Sequence, residues 1–372
     1  MLHDRIQIGI DVTYAFFRRG GIDEYQFQLA SRLAQRADDS FVFKKYANFA
    51  PFVIRRSFGV PDPAILRKFK MLQSFLLAKR PESIVYRLFP CDLIHMTSHL
   101  YMPFGRKKIS TLHDASFLYD DYQTNSIFDF RPHAELMARK CDHFIAVSQF
   151  TRDEACRLLR LPDSKVTVIP SGIDERFFVR VEQAALSLVK AKYGLVNPYV
   201  LFVSAVSKRK NVPVMLRALE LNWPDNLDLV IAGRDGNDTH TVNTMIERSA
   251  KKGQVRRIYF VPDADLTALY QGAFAYCLPS FQEGFGFTLL EAMASGIPVV
   301  AAENSAMTET AGKAALFFRT NDEGELVERI RELQIEKRRT EMIRLGFDRA
   351  REFSWTKFVE NTVRIYERVL SG

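Results

Sequence analysis

Two glutamates frame a glycine-rich turn in the stretch EGFGFTLLEAMAS, residues 283–295. Gly284 and Gly286 allow the backbone to approach a ligand closely, and the N–H groups at the start of the following helix offer positive partial charge to a phosphate. Glu283 precedes the turn and Glu291 lies about two helical turns further along, so the two carboxylates need not touch each other. A carboxylate only accepts hydrogen bonds, so the pair suits a ligand with hydroxyls at both ends and phosphates between them. The alternative is a surface glutamate beside a glycine turn that only packs a helix.

A cationic cluster follows the apolar run YVLFVSAV of residues 199–206. The next residues are Ser207, Lys208, Arg209, Lys210 and Asn211. An arginine can bind two phosphate oxygens at once, and a lysine acts as a point charge. Alone, such a run is typical of a solvated loop. Together with the two glutamates, it indicates one binding site for a nucleotide sugar.

Both halves of the chain alternate short β-type runs with helical patterns, which predicts an α/β fold with parallel sheets. Strands are predicted at RIQIGIDV, FVFKKYA, CDLIHM, KKISTLHD, HFIAVS and KVTVIP in the first half, and at YVLFVSAV, LDLVIAG, RIYFVP, AYCLP and IPVVAA in the second. Helices are predicted at DEYQFQLASRLAQR, NVPVMLRALE and TLLEAMAS. Ligands bind at the carboxyl ends of parallel strands, where the cationic cluster and the glycine turn are both expected.

The composition is that of an ordinary globular protein of two domains. The chain has 372 residues, 47% of them hydrophobic and 26% charged. Its four scattered cysteines predict neither a disulfide framework nor a zinc site and favour a reducing cytoplasm. The polar start MLHDRIQIGIDV has no secretory apolar region, and no run reaches the length of a membrane span.

The excess of positive charge lies in one segment. Residues 44–87 contain ten Lys or Arg and only two acids, in a chain of net charge +8. Within the segment Ile65, Phe69, Leu72 and Leu76 recur at helical spacing, which predicts a basic amphipathic helix. This helix either packs on the core with a solvated charged face or docks on anionic membrane lipids. No nucleic-acid-binding motif accompanies it, so no nucleic-acid partner is predicted.

With these motifs in place, the chain resembles the retaining glycosyltransferases of family 4, which have the GT-B fold. The resemblance is carried, in order along the chain, by GGIDEY, HDAS, AVSQFTRDE, VIPSGID, SKRKN and EGFGFTLLEAMASGIPVVA, and it extends to the closing FSWTKFVENTVRIYERVL. It implies two Rossmann-like domains that face a cleft. Residues 1–178 would form the acceptor-side domain, 179–352 the nucleotide-sugar domain, and 353–372 a helix that returns to the first domain.

The resemblance also implies roles for individual residues. Glu283 would bind hydroxyls of the donor sugar and Glu291 the nucleotide ribose, while Arg209 and Lys210 would hold the diphosphate. The backbone of Gly284, Phe285, Gly286 and Phe287 would lie along the donor near its phosphates.

In the other domain, His113 of TLHDAS would face the donor sugar, and Gly20 and Gly21 would shape the loop nearest the phosphates and the acceptor. Many relatives carry a Gly-Arg pair after the strand that here ends in FVSAV. This chain has Ser204 and Ala205 there, so one phosphate-binding cation is absent.

The implied activity is transfer of a hexosyl unit from a nucleoside diphosphate sugar to an acceptor hydroxyl, with retention at the anomeric carbon. GDP-mannose is the first expected donor and a UDP-sugar the second, with no metal and no further cofactor. The expected acceptor is a lipid-linked or growing surface polysaccharide at the inner face of the membrane. A sugar-nucleotide epimerase of the same fold and a noncatalytic nucleotide-sugar-binding protein remain alternatives.

Other motifs are interpreted as structural. Asp263 and Asp265 in VPDADLTALY form a DxD pattern, but an acid before an apolar helical run predicts a helix cap, so no metal site is predicted. Ser148 and residues 151–154 predict a second helix cap. Glu309 is expected to be structural.

Overall fold

The computed structural model describes residues 5–13, 15, 21–36, 40–46, 90–119 and 130–372. These residues form two compact units. The first unit contains the described residues up to Gly172 together with Trp355–Gly372, and the second contains Ile173–Ser354. The domain boundaries at 178/179 and 352/353 stay predictions. Residues 47–87 of the basic segment, including its predicted helix, and Gly20 lie outside the described residues, while residues 44–46 end β2.

The described part of the first unit is built on six parallel strands in the order β2-β1-β3-β4-β5-β6. The strands are β1 (Ile6–Asp11), β2 (Phe41–Tyr46), β3 (Leu93–Met96), β4 (Lys107–Leu112), β5 (His143–Ala146) and β6 (Val166–Val168). The helices are α1 (Gly21–Gln35), α2 (Arg131–Lys140), α3 (Gln149–Leu159) and the C-terminal α12 (Trp355–Ser371). From β1 the chain first adds β2 on one side, and then adds β3 to β6 in order on the other side. Strands β1 and β3 pair at this switch point, with Ile8 opposite Leu93.

The second unit repeats this plan with the order β12-β11-β10-β7-β8-β9, again all parallel. Its strands are β7 (Tyr199–Val203), β8 (Asp228–Ala232), β9 (Val255–Ile258), β10 (Ala275–Leu278), β11 (Val299–Ala302) and β12 (Ala315–Phe318). Its helices are α4 (Gln183–Lys192), α5 (Val212–Glu220), α6 (Thr239–Arg248), α7 (Asp263–Gln271), α8 (Phe287–Ala294), α9 (Ser305–Ala311), α10 (Glu323–Glu332) and α11 (Glu336–Ala350).

The central strands of the second sheet are apolar along their whole length because helices cover both faces. Every residue of β8, β10 and β11 is buried. The predicted α/β class with two parallel sheets is therefore confirmed. Two strand predictions need correction: β9 starts at Val255 rather than Arg257, and β12 was not predicted.

The C-terminal helix belongs to the first unit, where its apolar face packs on α1. The ring of Tyr25 lies 6.0 Å from Trp355 and 5.0 Å from Phe358. The hydroxyl of Tyr366 is hydrogen-bonded to Nδ1 of His95 at 2.7 Å. Gly172 approaches this helix so closely that a Cβ atom there would lie 2.2 Å from the Trp355 nitrogen. These contacts join the end of the chain to the core of the first unit.

Candidate functional site

The second sheet places two polar loops side by side. Strands β7 and β10 are neighbours at the centre of this sheet, although they are three strands apart in the chain. Their connections leave to opposite sides, so their carboxyl ends open a crevice of the kind in which α/β proteins bind ligands. A 3-10 turn, Lys208–Lys210, follows β7, and the segment 279–286 follows β10. The cationic cluster and the glycine turn therefore meet at this point.

Glu283 is the centre of the cluster. Its Oε1 accepts hydrogen bonds from Nζ of Lys210 and from Oγ of Ser280, both at 2.6 Å. Its Oε2 accepts one from Nη1 of Arg209 at 3.0 Å. Glu283 is only 7% exposed. Burial alone would raise the pKa of its carboxyl group, but the charges of Lys210 and Arg209 outweigh burial and lower the pKa to about 2.

These contacts define what the cluster can do chemically. Glu283 is ionised at neutral pH, so it accepts hydrogen bonds and does not supply a proton. Lys210 and Arg209 bring one more positive charge than the carboxylate cancels, and their side chains keep 12% and 21% exposure. A partly buried site with excess positive charge favours an anionic ligand.

The glycine turn contains one residue with a left-handed backbone conformation. Gly286 lies at φ +95°, in the left-handed region, and directly precedes α8. The side chain of Phe285 is buried against Phe287 and Phe353, and Oγ1 of Thr310 donates to its carbonyl at 2.6 Å. The turn therefore keeps the apolar side chain of Phe285 in the core and leads directly into α8.

Glu291 lies on α8 and has a hydrogen-bond partner outside the Glu283 cluster. Its Oε2 accepts a hydrogen bond from the hydroxyl of Tyr270 at 2.8 Å, and Tyr270 is itself fully buried on α7. The structure therefore brings Glu283, Arg209 and Lys210 into one cluster and gives Glu291 a separate partner.

His113 and Gly21 belong to the first unit. His113 follows β4, is 7% exposed and contacts the ring of Tyr25 edge-on. Its Nε2 lies 2.9 Å from the carbonyl oxygen of Thr97, which can only accept, so Nε2 carries the proton and Nδ1 is the acceptor. Burial, with a smaller contribution from His99, lowers the pKa of His113 to about 4. Gly21 begins α1.

Several polar residues around Glu283 were missed by sequence reasoning. Ser280 bonds its carboxylate, and Oγ of Ser305 accepts from its backbone N–H at 3.0 Å. Asn304 donates to the carbonyl of Ser280 at 3.0 Å. The pair Asn304–Ser305 does carry a helix-start signal in the sequence. Its contact with the segment of Ser280 and Glu283, more than 20 residues earlier, arises because β11 lies beside β10, which residue spacing does not predict.

The two predicted helix caps have different outcomes. Ser148 caps α3 as predicted, with Oγ accepting from the N–H of Thr151. The capping prediction for the DxD pattern is wrong, because Pro262 precedes α7 and no side chain caps it. Asp263 is the first helical residue, where its charge favours the positive end of the helix, and Asp265 pairs with Lys192 and Tyr193.

The described residues contain neither a cluster suited to a metal ion nor a helix suited to span a membrane. Within the described ranges, no group of three or more His, Cys, Asp or Glu side chains could hold a metal ion. The helices of the same ranges include none that is both long and apolar enough to cross a membrane.

Known families account for most of the chain. Residues 190–347 match the family described as glycosyl transferases group 1, and residues 19–177 match glycosyltransferase family 4. An O-antigen chain mannosyltransferase B of Escherichia coli is 28% identical over 74% of both chains. The mannosyltransferase RfbU of Salmonella typhimurium is 25% identical over 61% of both, and a mannosylfructose-phosphate synthase of Agrobacterium fabrum is 26% identical over 63% of this chain and 55% of its own.

Solved structures share the fold at low sequence identity. A sucrose-phosphate synthase from Thermosynechococcus elongatus superposes with a TM-score of 0.75 at 19% identity, covering 99% of this chain and 100% of that one. The Anabaena protein Alr3699/HepE in complex with UDP-glucose gives a TM-score of 0.75 at 18% identity, covering 98% of this chain and 100% of that one. With the two family matches spanning both units, the chain belongs to the GT-B glycosyltransferases of the family 4 type.

Proposed function

We propose that this glycosyltransferase moves a hexosyl unit, first of all mannosyl, from a nucleoside diphosphate sugar to a hydroxyl of a saccharide acceptor. The observation that carries the proposal is the cluster of Glu283, Arg209 and Lys210 in the loops that follow the neighbouring strands β7 and β10. Mannosyl transfer is supported by the names of two relatives. A UDP-sugar is the second candidate donor, since a structural neighbour is described in complex with UDP-glucose.

In the proposed reaction, the bond between the anomeric carbon and the diphosphate oxygen breaks. A new bond forms between the anomeric carbon and the acceptor oxygen, and the hydroxyl proton leaves with the nucleoside diphosphate. Arg209 and Lys210 would neutralise the charge that develops on the leaving diphosphate. Glu283, held ionised by both cations, would accept hydrogen bonds from sugar hydroxyls and hold the donor in place.

The remaining predicted contacts would complete the proposed donor site. Glu291 would accept from the ribose, while the backbone of Gly284, Phe285, Gly286 and Phe287 would lie along the phosphates. From the first unit, His113 would face the donor sugar with an unprotonated Nδ1, and Gly20 and Gly21 would shape the loop near the acceptor. Retention of configuration rests on the family alone. No metal and no cofactor is part of the proposal.

A transfer assay separates this proposal from its alternatives. GDP-mannose and UDP-glucose would be incubated with octyl glycosides, which carry a saccharide on an alkyl chain, with and without EDTA. We expect an acceptor-dependent product that EDTA does not reduce, and whose new glycosidic bond has the anomeric configuration of the donor by NMR. Conversion of the donor without acceptor would favour the epimerase, and a donor that binds without being consumed would favour the noncatalytic protein.

The acceptor is proposed to be a lipid-linked saccharide at the inner face of the membrane. The support is the basic amphipathic pattern of residues 44–87, in which ten cations accompany two acids. Flotation with phosphatidylglycerol vesicles should recover the protein at low salt and lose it at high salt. Equal recovery with uncharged phosphatidylcholine vesicles, or indifference to salt, would contradict the membrane contact.

A further inference from the structure

Three residues with unusual backbone geometry surround the Glu283 cluster. In the described ranges, four residues other than glycine have positive φ, and three of them are Asn211 at 52°, Ser305 at 49° and Asn321 at 68°. Asparagine enters the left-handed region more readily than most residues, whereas serine has no such advantage. Backbone strain of this kind persists only where neighbouring contacts hold it, and it is concentrated at functional sites.

The side chains near these residues link four loops at one edge of the second sheet. Nδ2 of Asn211, which directly follows Lys210, donates to the carbonyl of Pro279 and to Oδ1 of Asn321, both at 3.1 Å. Nδ2 of Asn304 donates to the carbonyl of Ser280 at 3.0 Å and to Oγ1 of Thr320 at 2.7 Å. The loops after β7, β10, β11 and β12 are thereby joined.

Ser305 completes this network at Glu283 itself. Its hydroxyl donates to Oδ1 of Asn304 at 2.8 Å, so its oxygen is directed to accept from the backbone N–H of Glu283 at 3.0 Å. The segment that carries Glu283 is thus held at the carbonyls of Pro279 and Ser280 and at the N–H of Glu283. A carboxylate fixed this way meets Lys210 and Arg209 without having to reorganise.

We propose that Ser305, oriented by Asn304, is a positioning residue that fixes the backbone of Glu283 for sugar transfer. In its left-handed conformation Ser305 accepts the hydrogen bond from the N–H of Glu283, while the N–H of the next residue, Ala306, donates to the carbonyl of Glu283 at 3.3 Å. This inference rests on the proposed function, since the positioned carboxylate is the one assigned to the donor sugar.

The test uses two substitutions that remove the same hydroxyl and differ in the backbone. Ser305→Gly is free to adopt the left-handed conformation, whereas Ser305→Ala keeps the strain. We expect kcat to fall at least about tenfold in both variants, while Tm stays level or rises in Ser305→Gly and falls in Ser305→Ala. We expect the rise in Tm caused by free nucleoside diphosphate to remain, because Lys210 and Arg209 are unchanged.

Arg160→Gly is the matched control. Arg160 is the fourth left-handed residue, at φ 52°, and ends α3 in the first unit. The change relieves the same kind of strain far along the chain from the network, so kcat should be unchanged. Loss of kcat in the control would show that backbone relief alone impairs the protein, and would overturn the inference.

The results separate the inference from the proposed function. If Lys210→Ala is inactive but the kcat of Ser305→Gly is within twofold of that of the unmodified protein, the role of Ser305 is overturned. The proposed donor site would not be affected by that result. Full activity in Lys210→Ala, or no transfer by the unmodified protein, would remove the proposed function and with it this inference. A tenfold loss in Ser305→Gly with unchanged Tm would support both.

Discussion

At the scale of single residues, the carboxylate of Glu283 is buried between two cations. Changing Lys210 to Ala removes one hydrogen bond and one charge from Glu283 and leaves Arg209 and Ser280 in place. We expect kcat/KM to fall at least about tenfold, a loss of about 1.4 kcal/mol of transition-state stabilisation. Steady-state assays with the preferred donor measure this change, and near-normal activity would mean that the site is misassigned.

The lowered pKa of Glu283 also predicts how the stability of the fold depends on pH. Because the pKa of Glu283 falls from 4.5 to about 2 on folding, its ionised form stabilises the fold above pH 4.5 by about 3 kcal/mol. That stabilisation is lost as pH falls from 4.5 toward 2. Denaturant unfolding of Glu283→Gln should therefore show a weaker loss of free energy of unfolding over this range than the unmodified protein. Parallel pH curves for the two proteins would contradict the assigned contacts.

At the scale of elements, helix α8 is flanked by two left-handed glycines that allow a matched comparison. Gly286 precedes the helix at φ +95° and Gly296 follows it at +75°. An added Cβ would meet only Leu289 at 3.8 Å in the first case and nothing within 4 Å in the second. The effect of either change on stability is therefore conformational and not steric.

We expect Gly286→Ala and Gly296→Ala each to lower the free energy of unfolding by roughly 1–2 kcal/mol. Only Gly286→Ala should also weaken binding of the nucleotide sugar, because only this change alters the backbone directly before α8, where the phosphates are proposed to bind. Calorimetric titration of both variants measures the difference. Equal affinity in the two variants would show that the turn does not contact the donor.

Local patterns predicted most of these elements but not the contacts among their loops. Eleven of the twelve strands follow from short apolar runs, and the cluster of Glu283, Arg209 and Lys210 follows from charged residues placed after two of them. Strand β12 is only four residues long and follows directly on a helical segment, so its pattern is weak. Ser305 was missed because its bond to Glu283 requires β11 to lie beside β10, and nothing within either segment specifies that order.

At the scale of the whole molecule, the two units should respond differently to acid. Burial is the main cause that lowers the pKa of His113 and His143 to about 4 and that of His95 to about 3, and all three lie in the first unit. A histidine whose pKa is lowered stabilises the fold above pH 6.5, and this stabilisation is lost as pH falls toward 4. At pH 5 the loss for His113 alone is about 2 kcal/mol.

Hydrogen exchange followed by mass spectrometry at pH 7 and pH 5 tests this difference. After correction for intrinsic rates, we expect β3, β4 and β5 to lose protection at pH 5, while β7, β8 and β10 keep theirs. The second unit serves as the internal control. Because the pKa of Glu283 is lowered, the stabilisation by this carboxylate is lost only below pH 4.5. Equal loss in both units would contradict the prediction.

The second unit is proposed to bind a nucleoside diphosphate sugar through Glu283, Arg209 and Lys210. The most direct measurement is a thermal-shift panel of UDP-, GDP-, ADP- and dTDP-sugars at saturating concentration, on the unmodified protein and on Lys210→Ala. A ligand that binds only the folded state raises Tm by mass action. We predict a clear rise with one nucleotide, GDP first and UDP second, and little or none in Lys210→Ala. No rise with any nucleotide, or an equal rise in both proteins, would contradict the claim.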